Sequence, residues 1–361
     1  MSKSVFLPAY TIGADAYAKV PEICSKFGKT VVFIGGKTAL EKAAGLVKEA
    51  IKGSGLEVLD TIWYGGEATY ENVEELKKNP VIQKADMVFG FGGGKALDTC
   101  KMLTNDLGKP LFNFPTIAST CASVTSVCVV YYPTHEMKEL CWRYAPAEHS
   151  FINSQVIADA PVKYLWAGIG DTLAKGYEPE FSARGKELDH SNQMGVTLSV
   201  LCQEPLVKYG TKGLEDCKKH VVSSDLEEVI LTIIVTTGVV SYYVINDYNS
   251  CIAHAIFYGF TTIPEIDETH LHGEIVSYGV LVSLMVDNRK DEINKLLPFY
   301  KSIDLPVTYK AFDATPEQIE TKVLPKAASV NDIKVAAFPV DINVLRKGIN
   351  DYEAYVASVK L

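Results

Sequence analysis

Residues 87–101 read Met-Val-Phe-Gly-Phe-Gly-Gly-Gly-Lys-Ala-Leu-Asp-Thr-Cys-Lys. An apolar run stops at adjacent glycines and a helical pattern begins directly behind them, which predicts a strand, a glycine turn and a helix. Adjacent glycines let a ligand approach the backbone N–H groups closely, and the start of the following helix carries a partial positive charge. The stretch therefore predicts a binding seat for an anion such as a pyrophosphate.

Two known phosphate motifs do not fit this stretch. Lys95 stands where the dinucleotide fingerprint G-x-G-x-x-G has its third glycine, and Ala96 stands where a P-loop has Ser or Thr to hold magnesium. A glycine turn that binds no ligand remains the alternative on the loop alone, because short loops between strands and helices often contain glycine.

Around this stretch, strand patterns alternate with helical patterns, as in a parallel sheet covered by helices. We predict strands at 30–34, 56–64, 87–92 and 110–114, with 127–132 and 151–158 completing the sheet. A capping box, Thr38 to Glu41, predicts the start of a helix, and 71–78 predicts another. The helix after Gly94 should bury one side, formed by Ala96, Leu97, Cys100, Leu103 and Thr104. From about Pro161 the apolar spacing becomes helical. The prediction is an α/β Rossmann-like domain over 1–160 and an all-α domain over 161–361.

The bulk composition excludes several kinds of partner. The 361 residues carry a net charge of -9 and no cluster of Lys and Arg, which argues against nucleic acid and anionic membrane surfaces. Residues 229–246 are uncharged, but their hydroxyl side chains favour a fully buried central helix over a membrane span. Eight cysteines without a C-x-x-C pair, and an N-terminus without an apolar signal, predict the cytoplasm. We expect a small-molecule substrate and a homo-oligomer.

The second half contains metal-binding side chains in apolar surroundings. A carboxylate, Asp171, and two imidazoles, His254 and either His270 or His272, would give three ligands with a position open for water or substrate. Zinc and ferrous iron both suit such a set. Each residue also has a structural interpretation: Asp171 could cap a helix after Gly170, and His254 could be a core histidine. We favour His272 over His270, because the small Gly273 behind it permits close approach.

Five motifs in this order resemble the glycerol dehydrogenase branch of the iron-containing alcohol dehydrogenase superfamily. They are Gly-Gly-Gly-Lys-Ala-Leu-Asp-Thr (92–99), Pro-Thr-Ile-Ala-Ser-Thr (115–120), Gly-Ile-Gly-Asp-Thr-Leu-Ala-Lys (168–175), Ala-His-Ala (253–255) and His-Gly-Glu-Ile-Val-Ser-Tyr-Gly (272–279). The resemblance implies the fold shared by dehydroquinate synthase and the iron-containing alcohol dehydrogenases. It also implies metal ligation by Asp171, His254 and His272. It also implies cofactor contacts by Gly94, Lys95, Thr116 and Ser119, with Thr125, Val127 and Tyr131 near the nicotinamide and its ribose. We assign Gly36, Lys37, Gly92, Gly93 and Asp98 to the same cofactor site.

Three departures from the family pattern bear on specificity. Lys175 stands where the wider iron-dependent group has a third histidine, which matches the three-ligand type that usually contains zinc. Cys121 replaces an aspartate that holds the polyol in glycerol dehydrogenases, so glycerol is in doubt and the sequence looks closer to the 2-hydroxycarboxylate dehydrogenases. Gly36 and Lys37 stand where NAD-dependent members often have an aspartate for the ribose, so NADP is as well accommodated as NAD. Lys37 could equally be a solvated residue of the turn.

The resemblance implies a metal-dependent, NAD(P)-dependent alcohol dehydrogenase or carbonyl reductase. It would transfer hydride to or from a small alcohol, polyol or 2-hydroxy acid whose oxygen binds the metal. No general base is evident, and His270 or a water chain is the proton route that we consider. Two alternatives are a carbocycle-forming lyase resembling dehydroquinate synthase and a non-catalytic nucleotide-binding protein.

Overall fold

The computed structural model describes residues 4–359 and contains two compact units. The first consists of the residues through Tyr164 together with Glu215–Val239, and the second of Leu165–Leu214 and the residues from Val240 onward. The division into 1–160 and 161–361 thus places its boundary close to Leu165, but residues 215–239 pack with the first unit rather than the second.

A parallel sheet is the centre of the first unit. Its strands and those of a separate hairpin are β1 (Tyr10–Gly13), β2 (Thr30–Gly35), β3 (Glu57–Trp63), β4 (Met87–Gly92), β5 (Leu111–Pro115), β6 (Val127–Tyr131), β7 (Met137–Trp142) and β8 (His149–Asn153). The helices up to residue 158 are α1 (Val20–Cys24), α2 (Lys37–Ala50), α3 (Tyr70–Lys77), α4 (Pro80–Lys84), α5 (Gly94–Leu107) and α6 (Ser154–Ala158). The order of the strands is β1-β8-β5-β4-β2-β3, and every pair in it is parallel.

The central strands are buried on both faces, as their continuous apolar runs predict. Phe89 and Phe91 of β4 point into a cluster that includes α1 and α2, whereas Val88 points into the opposite cluster with α3 and α5. Aromatic rings join neighbouring strands on the first face, where Phe91 lies 4.6 Å from Phe114 between ring centroids. The predicted buried side of α5 is confirmed, since all five of its residues are buried. Helices therefore cover both faces, as in a doubly wound fold.

The chain reverses its winding direction between β2 and β4. From β2 the chain passes through α2 to β3 on one side, and from β4 it passes through α5 to β5 on the other. Open α/β sheets bind ligands at such a switch point, beyond the carboxyl ends of the strands. The two glycine turns meet here, because the Gly36 N–H donates to the Phe91 carbonyl at 3.2 Å.

Several local predictions for the first unit need correction. The strand at 127–132 does not join the main sheet, because β6 pairs antiparallel with β7. The strand at 151–158 ends at Asn153, whose side chain caps α6. The capping box at Thr38 is wrong, since α2 begins at Lys37 and Gly36 is its N-cap. The local sequence pattern did not predict β1 and β7, which are short edge elements with exposed, partly polar residues.

Residues 161–359 contain no strand, which confirms the all-helical second half. Its helices are α7 (Lys163–Lys175), α8 (Glu178–Ala183), α9 (His190–Ser199), α10 (Glu204–Lys218), α11 (Ser224–Leu231), α12 (Thr237–Tyr243), α13 (Ile252–Phe260), α14 (Pro264–Thr269), α15 (His272–Val286), α16 (Lys290–Ser302), α17 (Pro316–Gln318), α18 (Leu324–Ala327) and α19 (Ile342–Ser358). The central helix of the second unit is α15, which is buried over most of its length.

The segment Ser224–Tyr243 is continuous helix with a π-turn at Thr232–Thr236. By length and composition it could cross a membrane, but half of its most apolar window is already buried in the protein. The expectation of complete burial is wrong, because only half of that window is buried.

Candidate metal centre and dinucleotide site

Three helices of the second unit bring Asp171, His254 and His272 together. The Asp171 Oδ1 atom lies 3.2 Å from His272 Nε2 and 3.5 Å from His254 Nε2, and one ligand atom of each residue lies within 4.8 Å of the others. Ligand atoms about 2.0–2.1 Å from a tetrahedral zinc ion are roughly 3.3–3.4 Å apart. The donor set and its spacing therefore fit a divalent metal with three protein ligands.

Glycines at two helix crossings make this approach possible. A Cβ atom on Gly273 of α15 would lie 1.8 Å from the Ala167 carbonyl of α7, and one on Gly170 would lie 2.2 Å from the Gly273 carbonyl. Further along α15, a Cβ on Gly279 would lie 2.5 Å from the Ala253 carbonyl of α13. Any larger residue would push these backbones apart, so the glycines set the distances between the three ligands. Asp171 lies inside α7, so its interpretation as a helix cap is wrong.

Glu178 orients His254, although no sequence motif singled it out. This buried carboxylate, 1% exposed, contacts His254 Nδ1 at 2.6 Å, and its other oxygen accepts hydrogen bonds from two backbone N–H groups, of Cys251 and His254. Such a carboxylate holds the imidazole with Nε2 directed at a metal. Glu178 stands outside the family-like motifs, and only the fold brings it to His254.

The electrostatic field of the cluster favours a cation. Burial disfavours the charged imidazole, but Glu178 and Asp171 outweigh it and raise the pKa of His254 to about 10. Burial also disfavours the Asp171 carboxylate, yet His272 and His254 hold the pKa of this carboxyl well below its usual range. A site that stabilises an added proton so strongly also stabilises a metal ion in its place.

The contacts of the neighbouring side chains distinguish the predicted metal ligands from the residues that do not join the cluster. The Phe257 ring packs edge-on against His272 with centroids 4.2 Å apart. His270 instead bonds to Glu274, at 2.9 Å between Nδ1 and Oε1, and does not join the cluster. Lys175, one turn after Asp171, donates to both oxygens of Asn249 at 2.6 and 2.8 Å. Its ammonium group is thus engaged and supplies no fourth ligand.

The glycine turns of the first unit have features that suit the predicted anion seat, whose assignment stays a prediction. Gly36 and Gly93 are the N-caps of α2 and α5, and neither helix has a side chain capping its first N–H groups. Gly92 has a φ of 141°, which favours glycine, and a Cβ atom there would lie 3.0 Å from Ala96 Cβ. Two open helix N-termini at a topological switch point suit a dinucleotide pyrophosphate. Ser119 lines a small pocket with Gly92, Gly93 and Gly94.

Lys95 lies at the entrance to this seat with an acidic partner. Its ammonium donates to Glu67 Oε2 at 2.6 Å and lies 4.6 Å from the centre of the Tyr131 ring. Burial would raise the pKa of the Glu67 carboxyl, but hydrogen bonds from His135 and Lys95 lower it. Glu67 and His135, which no sequence motif indicated, therefore fix the position of Lys95.

Asp98 and Lys101 form a buried ion pair beneath β6. Asp98 Oδ1 lies 2.7 Å from Lys101 Nζ, its Oδ2 accepts from the Val129 N–H, and Lys101 donates to the Val127 carbonyl. Burial raises the pKa of the Asp98 carboxyl despite its cationic partner. Asp98, which is 5% exposed, supports β6 through these contacts, and its assignment to the cofactor site stays a prediction.

The remaining predicted residues lie beside the same edge of the sheet. Thr116 is buried at the end of β5, and its N–H donates to the Gly92 carbonyl at 3.3 Å. The Thr125 hydroxyl is buried without a hydrogen-bond partner in residues 4–359, as a ligand-binding group would be. Cys121 is half-buried and packs near Gly238. Lys37 is exposed, with its ammonium 4.6 Å from the centre of the Trp63 ring.

Comparisons with known proteins identify relatives of this chain. The model of the iron-containing alcohol dehydrogenase family matches residues 8–147. The glycerol dehydrogenase of Escherichia coli O6:H1 is 29% identical over 84% of this chain and 83% of its own length. The solved structure of the Schizosaccharomyces pombe glycerol dehydrogenase has a TM-score of 0.87 at 23% identity, covering 99% of this chain and 91% of that one. The family match over residues 8–147, together with the glycerol dehydrogenase relatives, places the chain in the iron-containing alcohol dehydrogenase superfamily. Its place is in the glycerol dehydrogenase-like branch, which confirms the resemblance of its motifs.

The match to the iron-containing alcohol dehydrogenase family ends before Asp171, so it covers the glycine seat but no metal ligand. Relatives that span the chain extend the likeness across the second unit. The Escherichia coli protein named hydroxycarboxylate dehydrogenase A is 28% identical over 90% of this chain and 90% of its own length.

Proposed function

We propose that the protein is a metal-dependent, NAD(P)-dependent alcohol dehydrogenase that transfers hydride between a nicotinamide and the carbon of a small alcohol or carbonyl compound. It is an oxidoreductase that acts on CH–OH groups. The observation that carries the proposal is the cluster of Asp171, His254 and His272, with a carboxylate oxygen 3.2 and 3.5 Å from two imidazole nitrogens. Neither alternative, the lyase or the non-catalytic protein, is favoured by relatives that are dehydrogenases and reductases.

The three proposed ligands and their neighbours have different roles in the metal site. When bound, a divalent metal would supply Lewis-acid polarisation of the substrate oxygen. Asp171 contributes the negative charge, His272 is held by the Phe257 ring, and Glu178 keeps His254 Nε2 directed at the cluster. We propose zinc rather than iron, because the distances of 3.2 and 3.5 Å from Asp171 Oδ1 to the two imidazole nitrogens match tetrahedral zinc and Lys175 is engaged by Asn249.

We propose that the glycine turns at Gly36 and Gly92–Gly94 bind the pyrophosphate of NAD or NADP. Support comes from the two uncapped helix N-termini and the unpartnered Thr125 hydroxyl, among residues 4–359. No carboxylate directly follows β2, so none at that turn repels a 2′-phosphate, and Lys37 is near enough to the turn to attract one. Direct comparison of the two cofactors decides between them.

For the substrate we propose a 2-hydroxy acid and its 2-oxo acid rather than glycerol. The thiol of Cys121 cannot accept two hydroxyl hydrogen bonds as a carboxylate does, and its neutral charge does not repel an anionic substrate. The relative named hydroxycarboxylate dehydrogenase A adds support. We also propose a cytoplasmic location, which eight cysteines without a C-x-x-C pair favour.

The decisive experiment follows the absorbance of NADH and of NADPH with 2-oxo acids, dihydroxyacetone and simple aldehydes. We expect oxidation with 2-oxo acids. The Asp171→Ala variant should lose bound metal and more than about a hundredfold in activity, beyond the loss typical for residues that only support a ligand. Asp351→Ala, on the exposed surface of α19, is the matched control. A folded Asp171→Ala protein with full activity would refute the metal mechanism, and activity with dihydroxyacetone alone would refute the substrate assignment.

A further inference from the structure

The hairpin of β6 and β7 places two cysteines opposite each other. Cys128 and Cys141 are direct cross-strand partners in the antiparallel register. Opposite residues in such a pair have Cα atoms about 4.5 or 5.5 Å apart, and a disulfide joins Cα atoms about 4.4–6.8 Å apart. The two side chains pack in the same core cluster, and neither thiol is in a disulfide. A disulfide therefore needs little movement of the backbone.

The two thiols have different surroundings. Cys128 is fully buried in the core cluster beneath the hairpin, whereas Cys141 is half-buried. The hydrogen bond from the Cys128 thiol, and a further one from Tyr70, lower the pKa of Cys141 to about 7 against the opposing effect of burial. The same contact with Cys141, together with burial, raises the pKa of Cys128. Cys141 is thus the thiolate of the pair, and Cys128 is the partner that resolves it.

We propose that Cys128 and Cys141 form a reversible disulfide when the protein meets a hydroperoxide. The Cys141 thiolate attacks one peroxide oxygen, the O–O bond breaks, and the leaving alkoxide takes a proton from water, which gives a sulfenic acid. The Cys128 sulfur then attacks the sulfenic sulfur, the S–S bond forms and the S–O bond breaks. The hydroxide leaves as water with the Cys128 proton. In sum, two thiols and one hydroperoxide give a disulfide, an alcohol and water.

The disulfide would lie on the core-facing side of β6, a strand that we assign to the cofactor site. Cys128 and Val130 point into the core, whereas Val127 and Val129 lie on the other face. Oxidation pulls β6 toward β7 without touching the outer face. This consequence for the cofactor rests on the proposed function, whereas formation of the disulfide does not.

Mass spectrometry of the intact full-length protein tests the disulfide. After treatment with hydrogen peroxide we expect the loss of two hydrogen atoms, restored by dithiothreitol. Trypsin releases Cys141 on the peptide 139–143, and fragment ions of the linked peptide distinguish Cys128 from Cys121. The link should vanish in Cys128→Ser and Cys141→Ser and persist in Cys24→Ser, a buried cysteine elsewhere in the same unit. An unchanged mass, oxidation of Cys141 without a link, or a link to Cys121 would overturn the proposal.

Fluorescence titration with NADH and NADPH tests the consequence separately. The oxidised protein should bind its cofactor several-fold more weakly than the reduced protein, and peroxide should leave the affinity of Cys141→Ser unchanged. Equal affinities of the linked and reduced proteins would overturn the coupling to the cofactor while the disulfide stands. A reduced protein that binds neither cofactor would count against the proposed function alone.

Discussion

Replacement of Glu178 by glutamine tests how the metal site is oriented. The carboxylate accepts from His254 Nδ1 at 2.6 Å and, through its other oxygen, from the backbone N–H groups of Cys251 and His254 at 2.8 and 3.2 Å. All three contacts need an acceptor. Because Nδ1 must then carry a hydrogen, Nε2 is the nitrogen that can give up its proton and bind a metal beside Asp171.

Glutamine cannot satisfy these contacts, because one of its two polar atoms is a donor. If the amide oxygen stays on the backbone, the NH2 group faces Nδ1 and forces the imidazole hydrogen onto Nε2, where the metal would bind. If the amide turns over, its NH2 group faces the two backbone donors. Removing such an orienting carboxylate typically weakens metal affinity about 10–100-fold, or roughly 1.4–2.7 kcal/mol. We expect Glu178→Gln to lose zinc affinity within this range.

The assay is competition for Zn²⁺ between the protein and a coloured chelator, with thermal unfolding of the metal-free proteins measured alongside. Glu180→Gln is the matched control, since Glu180 belongs to the same short helix but pairs with Arg184. The control should keep the affinity of the unaltered protein. A stable Glu178→Gln protein that binds zinc as tightly as the control would refute the orienting role of Glu178.

Three further outcomes are expected. Gly273→Ala should destabilise the second unit by about 3 kcal/mol or more, because the new Cβ meets the Ala167 carbonyl at 1.8 Å. Gly45→Ala is the control, with no described atom within 4 Å of the new Cβ, and it should stabilise the protein by about 0.5–1 kcal/mol. Urea unfolding measures the free energy of unfolding of both variants. Two backbone N–H groups lower the pKa of the Asp86 carboxyl below its ordinary 3.8. The stabilising charge is therefore present above about pH 4 and is lost in more acidic solution. The difference in free energy of unfolding between the unaltered protein and Asp86→Asn should shrink from pH 7 to pH 3. Cys121→Asp should raise activity with dihydroxyacetone relative to 2-oxo acids about tenfold or more, and an unchanged ratio would refute the role of this position.

The core of the fold follows from local patterns. The continuous apolar run before Gly92 predicts a strand buried on both faces, and the helical spacing after Gly94 predicts α5, because burial of these side chains favours one conformation. The hairpin was harder to predict. β7 contains Lys138 and Glu139 at its exposed edge, and its pairing with β6 depends on contacts that the local pattern does not contain.

The residue types and the order of their motifs predict Asp171, His254 and His272 as metal ligands, because few side chains can bind a metal. The tertiary structure decided between His272 and His270, since the crossing of α7 and α15 at two glycines brings only His272 to Asp171. It also added Glu178, which lies outside the motifs. The sequence gives the chemistry of each side chain. It does not give the neighbours of that side chain, because the distances between helices that are far apart in the chain depend on how their backbones pack.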